Sequence, residues 1–173
     1  MSAFSYHPPY YNFEGEGLNF YDIGPQNSRG FRALKVWLAL QHAGAAGYRE
    51  MIQDDITLAQ YLYDLAADHP ELEAITNHLS ITTLRYVPQE LRASLGSKLV
   101  EDYLNHLNQR LLVAIERSGE AFISNAVIDE KYALRFCIVN FRASADDIEA
   151  MPQLVVRLGR QAHAEQSDSI KIR

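Results

Sequence analysis

The segment Pro8-Pro9-Tyr10-Tyr11 carries the residues best suited to chemistry. A mobile aromatic loop that closes on a pocket expels water and can bring a phenolic proton donor to a reacting atom. With an ordinary pKa of about 10, a tyrosine is protonated at neutral pH and can donate to a strongly basic carbanion. Of the four lysines, Lys35 stands out because it falls in an apolar helical stretch, where a buried ammonium must shift its pKa or find a partner. It could serve as a Schiff-base amine. A helix lysine that snorkels to a carboxylate or to water is the preferred reading. Arg29 and Arg32 could hold a carboxylate or a phosphate, or lock the preceding loop through its carbonyls. Arg135 and Arg142 flank the last strand, where surface or interface pairing is favoured over ligand contact. Gly15-x-Gly17 is followed by Leu18 and aromatics rather than by a helix, so it is no phosphate cradle. The six histidines (His7, His42, His69, His78, His106, His163) are dispersed without metal-ligand spacing, and no metal site is expected. Cys137 lies in an apolar run and reads as a buried, inert thiol.

The elements that must position these residues follow from periodicity. Seven aromatics with Pro8, Pro9, Gly15, Gly17, Gly24 and Pro25 make residues 1–28 an irregular segment that needs cover from another surface. From Ser28, a suitable N-cap, a helix over 29–43 is apolar on nearly every side and should be buried all round. Gly44 suits its end, and a second helix from about Ala45 runs until Asp68-His69-Pro70. The two form an angled pair or one kinked rod. A weakly alternating strand from Leu72 to Thr76, a turn at Asn77-His78-Leu79-Ser80 and a strand Ile81–Val87 follow, ended by Pro88. A long helix from Gln89 or Ser94 to Arg117 presents Leu95, Leu99, Tyr103, Leu107, Leu111, Ala114 and Ile115. Strands Ala121–Ile128 and Tyr132–Asn140 flank a tight Asp129-Glu130 turn. Ser144 with Asp147 resembles a capping box and opens the last helix, with a kink or restart expected at Pro152. A frayed polar tail is expected over 165–173. The organisation is therefore a loop and linker (1–28), connecting helices (29–69), an α+β domain (70–164) and the tail. From Leu72 onward the order β-β-α-β-β-α predicts an antiparallel sheet of about four strands with helices on one face.

Composition narrows the function. The 173 residues include 47% hydrophobic and 22% charged residues, which excludes a disordered chain. The net charge of -6 argues against nucleic-acid binding, which needs a concentrated basic surface. A single cysteine excludes a disulfide framework and fits a reducing cytoplasm. No apolar run approaches the ~18 residues that span a bilayer, and the N-terminus lacks a secretory pattern. The expectation is a cytoplasmic α/β protein without nucleic-acid or membrane partners.

Three stretches carry a family resemblance. Ser28-Arg-Gly-Phe-Arg-Ala-Leu-Lys-Val-Trp-Leu38 resembles the Arg-Arg-Phe-Arg-x-Leu-Lys-x-Trp signature of group II pyridoxal-phosphate-dependent (PLP-dependent) amino-acid decarboxylases, the relatives of aromatic-L-amino-acid decarboxylase. Ala3-Phe4-Ser5-Tyr6-His7-Pro8-Pro9-Tyr10 is similar to the opening of their mobile catalytic loop. Tyr132-Ala-Leu-Arg-Phe-Cys-Ile-Val-Asn140 resembles a strand of their small carboxy-terminal domain. The resemblance spans roughly residues 3 to 163. It implies the carboxy-terminal part of a fold type I, aspartate-aminotransferase-like enzyme that works as a homodimer and releases carbon dioxide from an L-amino acid of aromatic type.

Carried over by position, Tyr10, or Tyr11 if the register shifts by one, matches the loop tyrosine that protonates the quinonoid carbanion. Ser28 matches a position whose backbone N–H approaches the coenzyme phosphate of the partner subunit, and Lys35 becomes a structural helix lysine. Gly30, in place of the family's second arginine, and the loop from Asn12 to Asp22 depart from the animal pattern. The family's coenzyme lysine follows a histidine, and this sequence has no His-Lys pair, so the chain alone is expected to be inactive. The rival from another class is a free-standing, non-catalytic α+β binding or dimerisation module. A third arrangement pairs this chain with a separate large-domain chain.

Overall fold

The computed structural model describes residues 30–171, with side chains through Glu165. The chain divides into two units, residues 1–45 and 46–173. Helix α1 (Ala33–Asp68) is interrupted at Gly44, whose φ of 65° and ψ of 175° are not helical. A left-handed φ is cheapest for glycine, so the expected break falls where the sequence supplies one. In the first unit, Phe31, Val36, Trp37, Leu38 and Leu40 are exposed, Trp37 by 56%. The helix expected to be buried all round is not buried in this chain.

The second unit is built on one antiparallel sheet in the order β1-β2-β4-β3. Strands β1 (Leu72–His78) and β2 (Ile81–Tyr86) meet at Leu79-Ser80, because Asn77 and His78, expected in the turn, pair with Thr82 and Ile81. A bulge at Ile75 shifts the β1–β2 register. Strands β3 (Ser124–Ile128) and β4 (Lys131–Cys137) turn at Asp129-Glu130. Both turn residues have positive φ, as a hairpin that matches strand twist requires.

Even-numbered residues of β2 and β4 face the helices. Thr82 donates to the carbonyl of Ala59 in α1 at 2.6 Å, and Leu84, Leu134 and Phe136 join the core. Gly159, in α3 (Ala145–Lys171), sits so close to the Tyr86 ring that an added Cβ would lie 2.5 Å from its Cγ.

The helix expected from Gln89 or Ser94 to Arg117 is divided into a 3-10 turn (Gln89–Ser94), Gly96 at φ 87° and α2 (Lys98–Ser118). The buried stripe of α2 is Leu104, Leu107, Asn108, Leu111 and Ile115. At 3.6 residues per turn Leu99 falls on the opposite side, and it is 81% exposed. The capping box at the start of α3 is present. Asp147 N–H donates to Ser144 Oγ at 3.3 Å, and Ser144 N–H donates to Asp147 Oδ2 at 2.9 Å. α3 is one helix through Pro152, without the restart that was one of the two outcomes expected there, and it stays helical to Lys171, in the span expected as a frayed tail.

The β2–β4 ladder ends at Leu84–Leu134. At the next rung, α2 supplies the bonds. Tyr86 N–H donates to Asn108 Oδ1 at 2.8 Å, and Asn108 Nδ2 donates to the Tyr86 carbonyl at 2.9 Å. Tyr132 N–H donates to Asn105 Oδ1 at 2.7 Å, and Asn105 Nδ2 donates to the Glu130 carbonyl at 2.8 Å. Orphaning two buried backbone groups costs roughly 1–3 kcal/mol each. We therefore expect Asn108→Ala to lower unfolding free energy by about 3 kcal/mol in urea denaturation, and Asn105→Ala, less buried, by about 1 kcal/mol.

Candidate functional site

The residues first in line from the sequence, Tyr10, Tyr11 and Ser28, lie outside the described residues, as does Arg29. Lys35 and Arg32 are on exposed positions of the first unit. Cys137, expected to be buried, is exposed. Its odd-numbered place in β4 turns it to the face opposite Phe136. Arg135 shares that face, half-buried, with Nη1 3.3 Å from Ser124 Oγ. Arg142 stacks over Phe141, 5.4 Å from the ring centre. Among the described residues, no three of His, Cys, Asp and Glu gather as a metal group would require.

Two polar clusters escaped sequence reading. On the odd-numbered face of β2, Arg85 is fully buried. Its Nε donates to Glu73 Oε2 at 2.7 Å and its Nη1 to Glu101 Oε2 at 2.6 Å. Nη2 also lies 2.7 Å from Glu73 Oε2, but without the alignment of a hydrogen bond. Lys131 Nζ donates to the second Glu73 oxygen at 2.7 Å, and Gly96 N–H donates to Glu101 Oε1 at 2.9 Å. The Arg85 guanidinium, more than any other neighbour, holds the Glu101 carboxyl below its ordinary range.

The second cluster joins α3 to the start of β1 and to the 3-10 turn. Arg160 grips Glu71 with Nε and Nη2, and the Tyr86 hydroxyl donates to Glu71 Oε1 at 3.1 Å. Arg160 lowers the Glu71 pKa, while burial, and then Glu71, raise that of Tyr86. Beside it, His163 Nδ1 lies 2.6 Å from Tyr103 Oη and Nε2 lies 2.7 Å from Glu90 Oε1. The partners are 60 and 73 residues from His163, so no local spacing reveals them. Both clusters bind elements of the domain to one another, and every charged member named has a protein partner. They are braces.

No family model matches the sequence. The chain is 35% identical over 138 residues to an aromatic-L-amino-acid decarboxylase of Bacillus atrophaeus, covering 79% of this chain and 27% of the relative. It is 33% identical over 122 residues to tyrosine decarboxylase 2 of Arabidopsis thaliana, covering 70% of this chain and 21% of the relative. The chain thus spans about a quarter of the length of these relatives. Among solved structures, mouse CSAD superposes with a TM-score of 0.74 at 20% identity over 90% of this chain and 33% of that one. Oryza sativa TDC with PLP and tryptamine gives 0.65 at 21% identity over 77% of this chain and 27% of that one.

PLP needs a lysine amine beside a phosphate cradle. Among the described residues, Lys131 is held by Glu73, Lys98 pairs with Asp102 on an exposed helix start, and Lys35 is exposed. The described residues do not by themselves fit the coenzyme.

Because the folded pKa of Glu101 is depressed, its contribution is present above the unfolded carboxylate range and is lost as pH falls through the folded value. The fall in melting temperature on acidification from about pH 5 to pH 3 should therefore be shallower in Glu101→Gln than in the parent, as read by circular dichroism.

Proposed function

We propose, for a chain whose sequence and fold are those of the carboxy-terminal portion of group II PLP-dependent amino-acid decarboxylases, that it serves such a carboxy-lyase acting on an aromatic L-amino acid. The observation that carries the reading is the 35% identity over 138 residues, continuous along most of the chain. Within that reading, residues 1–28 are the catalytic-type loop and linker, 29–69 connect the large and small domains, and 70–164 are the small domain. The complete enzyme is a cytoplasmic homodimer. No helix among the described residues is long and apolar enough to cross a membrane, which is compatible with that setting.

In the complete enzyme PLP supplies the electron sink for loss of carbon dioxide. The part assigned to this chain is narrower. The Tyr10 hydroxyl gives a proton to the carbon that has lost its carboxylate, and the loop that carries it excludes bulk water. Tyr11 is the alternative donor. The Ser28 backbone N–H would be a main-chain donor to the coenzyme phosphate of the partner subunit. The charged braces of the small domain take no part in the chemistry.

Two measurements test this. Incubated with PLP and L-tyrosine or L-tryptophan, the chain alone should release no carbon dioxide, and release would overturn this division of labour. In a chimera that joins this chain to the amino-terminal portion of the Bacillus atrophaeus relative, Tyr10→Phe should slow turnover by about 100-fold, with Tyr11→Phe near the parental rate. The reverse order would make Tyr11 the donor.

A further inference from the structure

The edges of the sheet are β1 and β3, and they are not guarded alike. β1 carries the ion-paired Glu73, a bulge at Ile75 and an Asn77 whose Nδ2 donates to Gln60 Oε1 at 2.7 Å. Bulges and charges are ordinary devices that stop an edge strand from accepting another chain. β3 has neither. Its pairing with β4 is unbroken from Ser124 to Ile128, and the run from Ala121 to Ile128 holds no charged residue and no proline. Val127 is 66% exposed and Phe122 89%.

The hairpin fixes which backbone groups of β3 face outward. Asp129 and Glu130 form a two-residue turn with positive φ at both positions, so Ile128 and Lys131 make a hydrogen-bonded pair and bonding alternates from there. Ile128, Ala126 and Ser124 bond to β4, whereas Val127, Asn125 and, one step before the strand, Ile123 turn their N–H and C=O groups away from it. Tyr132 fixes the phase, because its N–H, opposite Val127, goes to Asn105 on the far side of β4. Among the described residues, nothing outside the β3–β4 ladder bonds to the backbone of Ile123, Asn125 or Val127.

We propose that the β3 edge pairs antiparallel with β3 of a second copy of this chain, with Asn125 on the two-fold axis, so that two sheets become one. The strand is complementary to itself in that register. Asn125 meets Asn125, and a carboxamide both donates and accepts, so it can bond to its own copy. Val127 meets Ile123 of the second copy, and these residues, which face outward in both copies, exchange N–H···O=C bonds. On the other face, the exposed Phe122 comes opposite the half-buried Ile128 of the second copy. The chain carries a net charge of -6, so copies repel over most of their surface, but no like charges oppose each other along this strand. Beyond it, the Asp129-Glu130 turn of one copy approaches Glu120 of the other, and Arg157 already pairs that carboxylate at 2.7 Å. An isologous contact of this kind closes at two copies. It involves the second unit alone and does not depend on the decarboxylase reading.

Sedimentation velocity of the full chain between about 10 and 500 µM should show monomer passing to dimer as concentration rises. Val127→Pro deletes an outward N–H that no described residue uses, at an edge position where proline is tolerated. Asn125→Asp sets two carboxylates against each other on the axis. Each should weaken the dimer by about tenfold or more with an unchanged circular dichroism spectrum. In a Cys137→Ser background, which removes the sole cysteine, Asn125→Cys should form an intermolecular disulfide under mild oxidation. A hydrogen-bonded cross-strand pair sets its Cα atoms about 5.5 Å apart, within the reach of a disulfide. Val113→Cys, exposed on α2, should remain reduced. Association through the exposed apolar residues of the first unit would survive both β3 variants. A chain that stays monomeric, a dimer untouched by both variants, or equal crosslinking from the two cysteine positions would overturn the pairing.

Discussion

The domain depends on how a sheet is closed where its two central strands part. Beyond Leu84–Leu134 the backbone groups of Tyr86 and Tyr132 must find other partners, because a buried unpaired amide or carbonyl is among the costlier defects a fold can carry. Asn108 meets both groups of Tyr86, and Asn105, one turn earlier, meets the N–H of Tyr132. A carboxamide presents an N–H donor and a carbonyl acceptor side by side, as a peptide group does, so it can stand in for a strand, and the second amide hydrogen of Asn108 goes to the Leu104 carbonyl. Helix α2 is thereby held at one height and one rotation against the sheet. That rotation selects Leu104, Leu107, Leu111 and Ile115 for the core and leaves Leu99 outside.

The buried charges reinforce the same joint from either side. Arg85 is shared by β1, through Glu73, and by the first turn of α2, through Glu101. Lys131 adds the start of β4 to the same carboxylate. Breaking such a group by removing one partner is costly, because the remaining charge stays desolvated. Across the sheet, Glu71, Tyr86 and Arg160 tie the other long helix to the strand ends. The charged side chains gathered around Arg85 and Glu71 are consumed in this bracing.

Several elements were legible in the sequence for plain physical reasons. Gly44, the Asp129-Glu130 turn and the Ser144/Asp147 box are local devices, each decided by residues within a few positions of one another. The β1–β2 and β3–β4 hairpins have short connections and were legible as such, whereas the pairing of β2 with β4 joins strands far apart in the chain. The misreadings were of a different kind. A helix read from Gln89 or Ser94 overlooks Gly96, whose left-handed backbone delays the start of α2 to Lys98, and a stripe counted every four residues from Leu95 drifts off the face that the core selects. Cys137 was assigned to the core because its neighbours are apolar, but alternation along β4 turns it outward. At Pro152 α3 does not restart, while Leu154, Val155 and Leu158 beyond it are buried on the core as their spacing implies.

By itself, the sequence determined the order and type of the elements, the break at Gly44 and the kinship with decarboxylases, because periodicity, capping and motif identity are properties of near neighbours. Tertiary structure alone decided which face of α2 is buried, that Arg85 is enclosed between two glutamates, and that His163 meets Tyr103 and Glu90. Each of these is a meeting of residues from separate elements. The energy of such a meeting depends on distance and desolvation in three dimensions, which spacing along the chain does not encode.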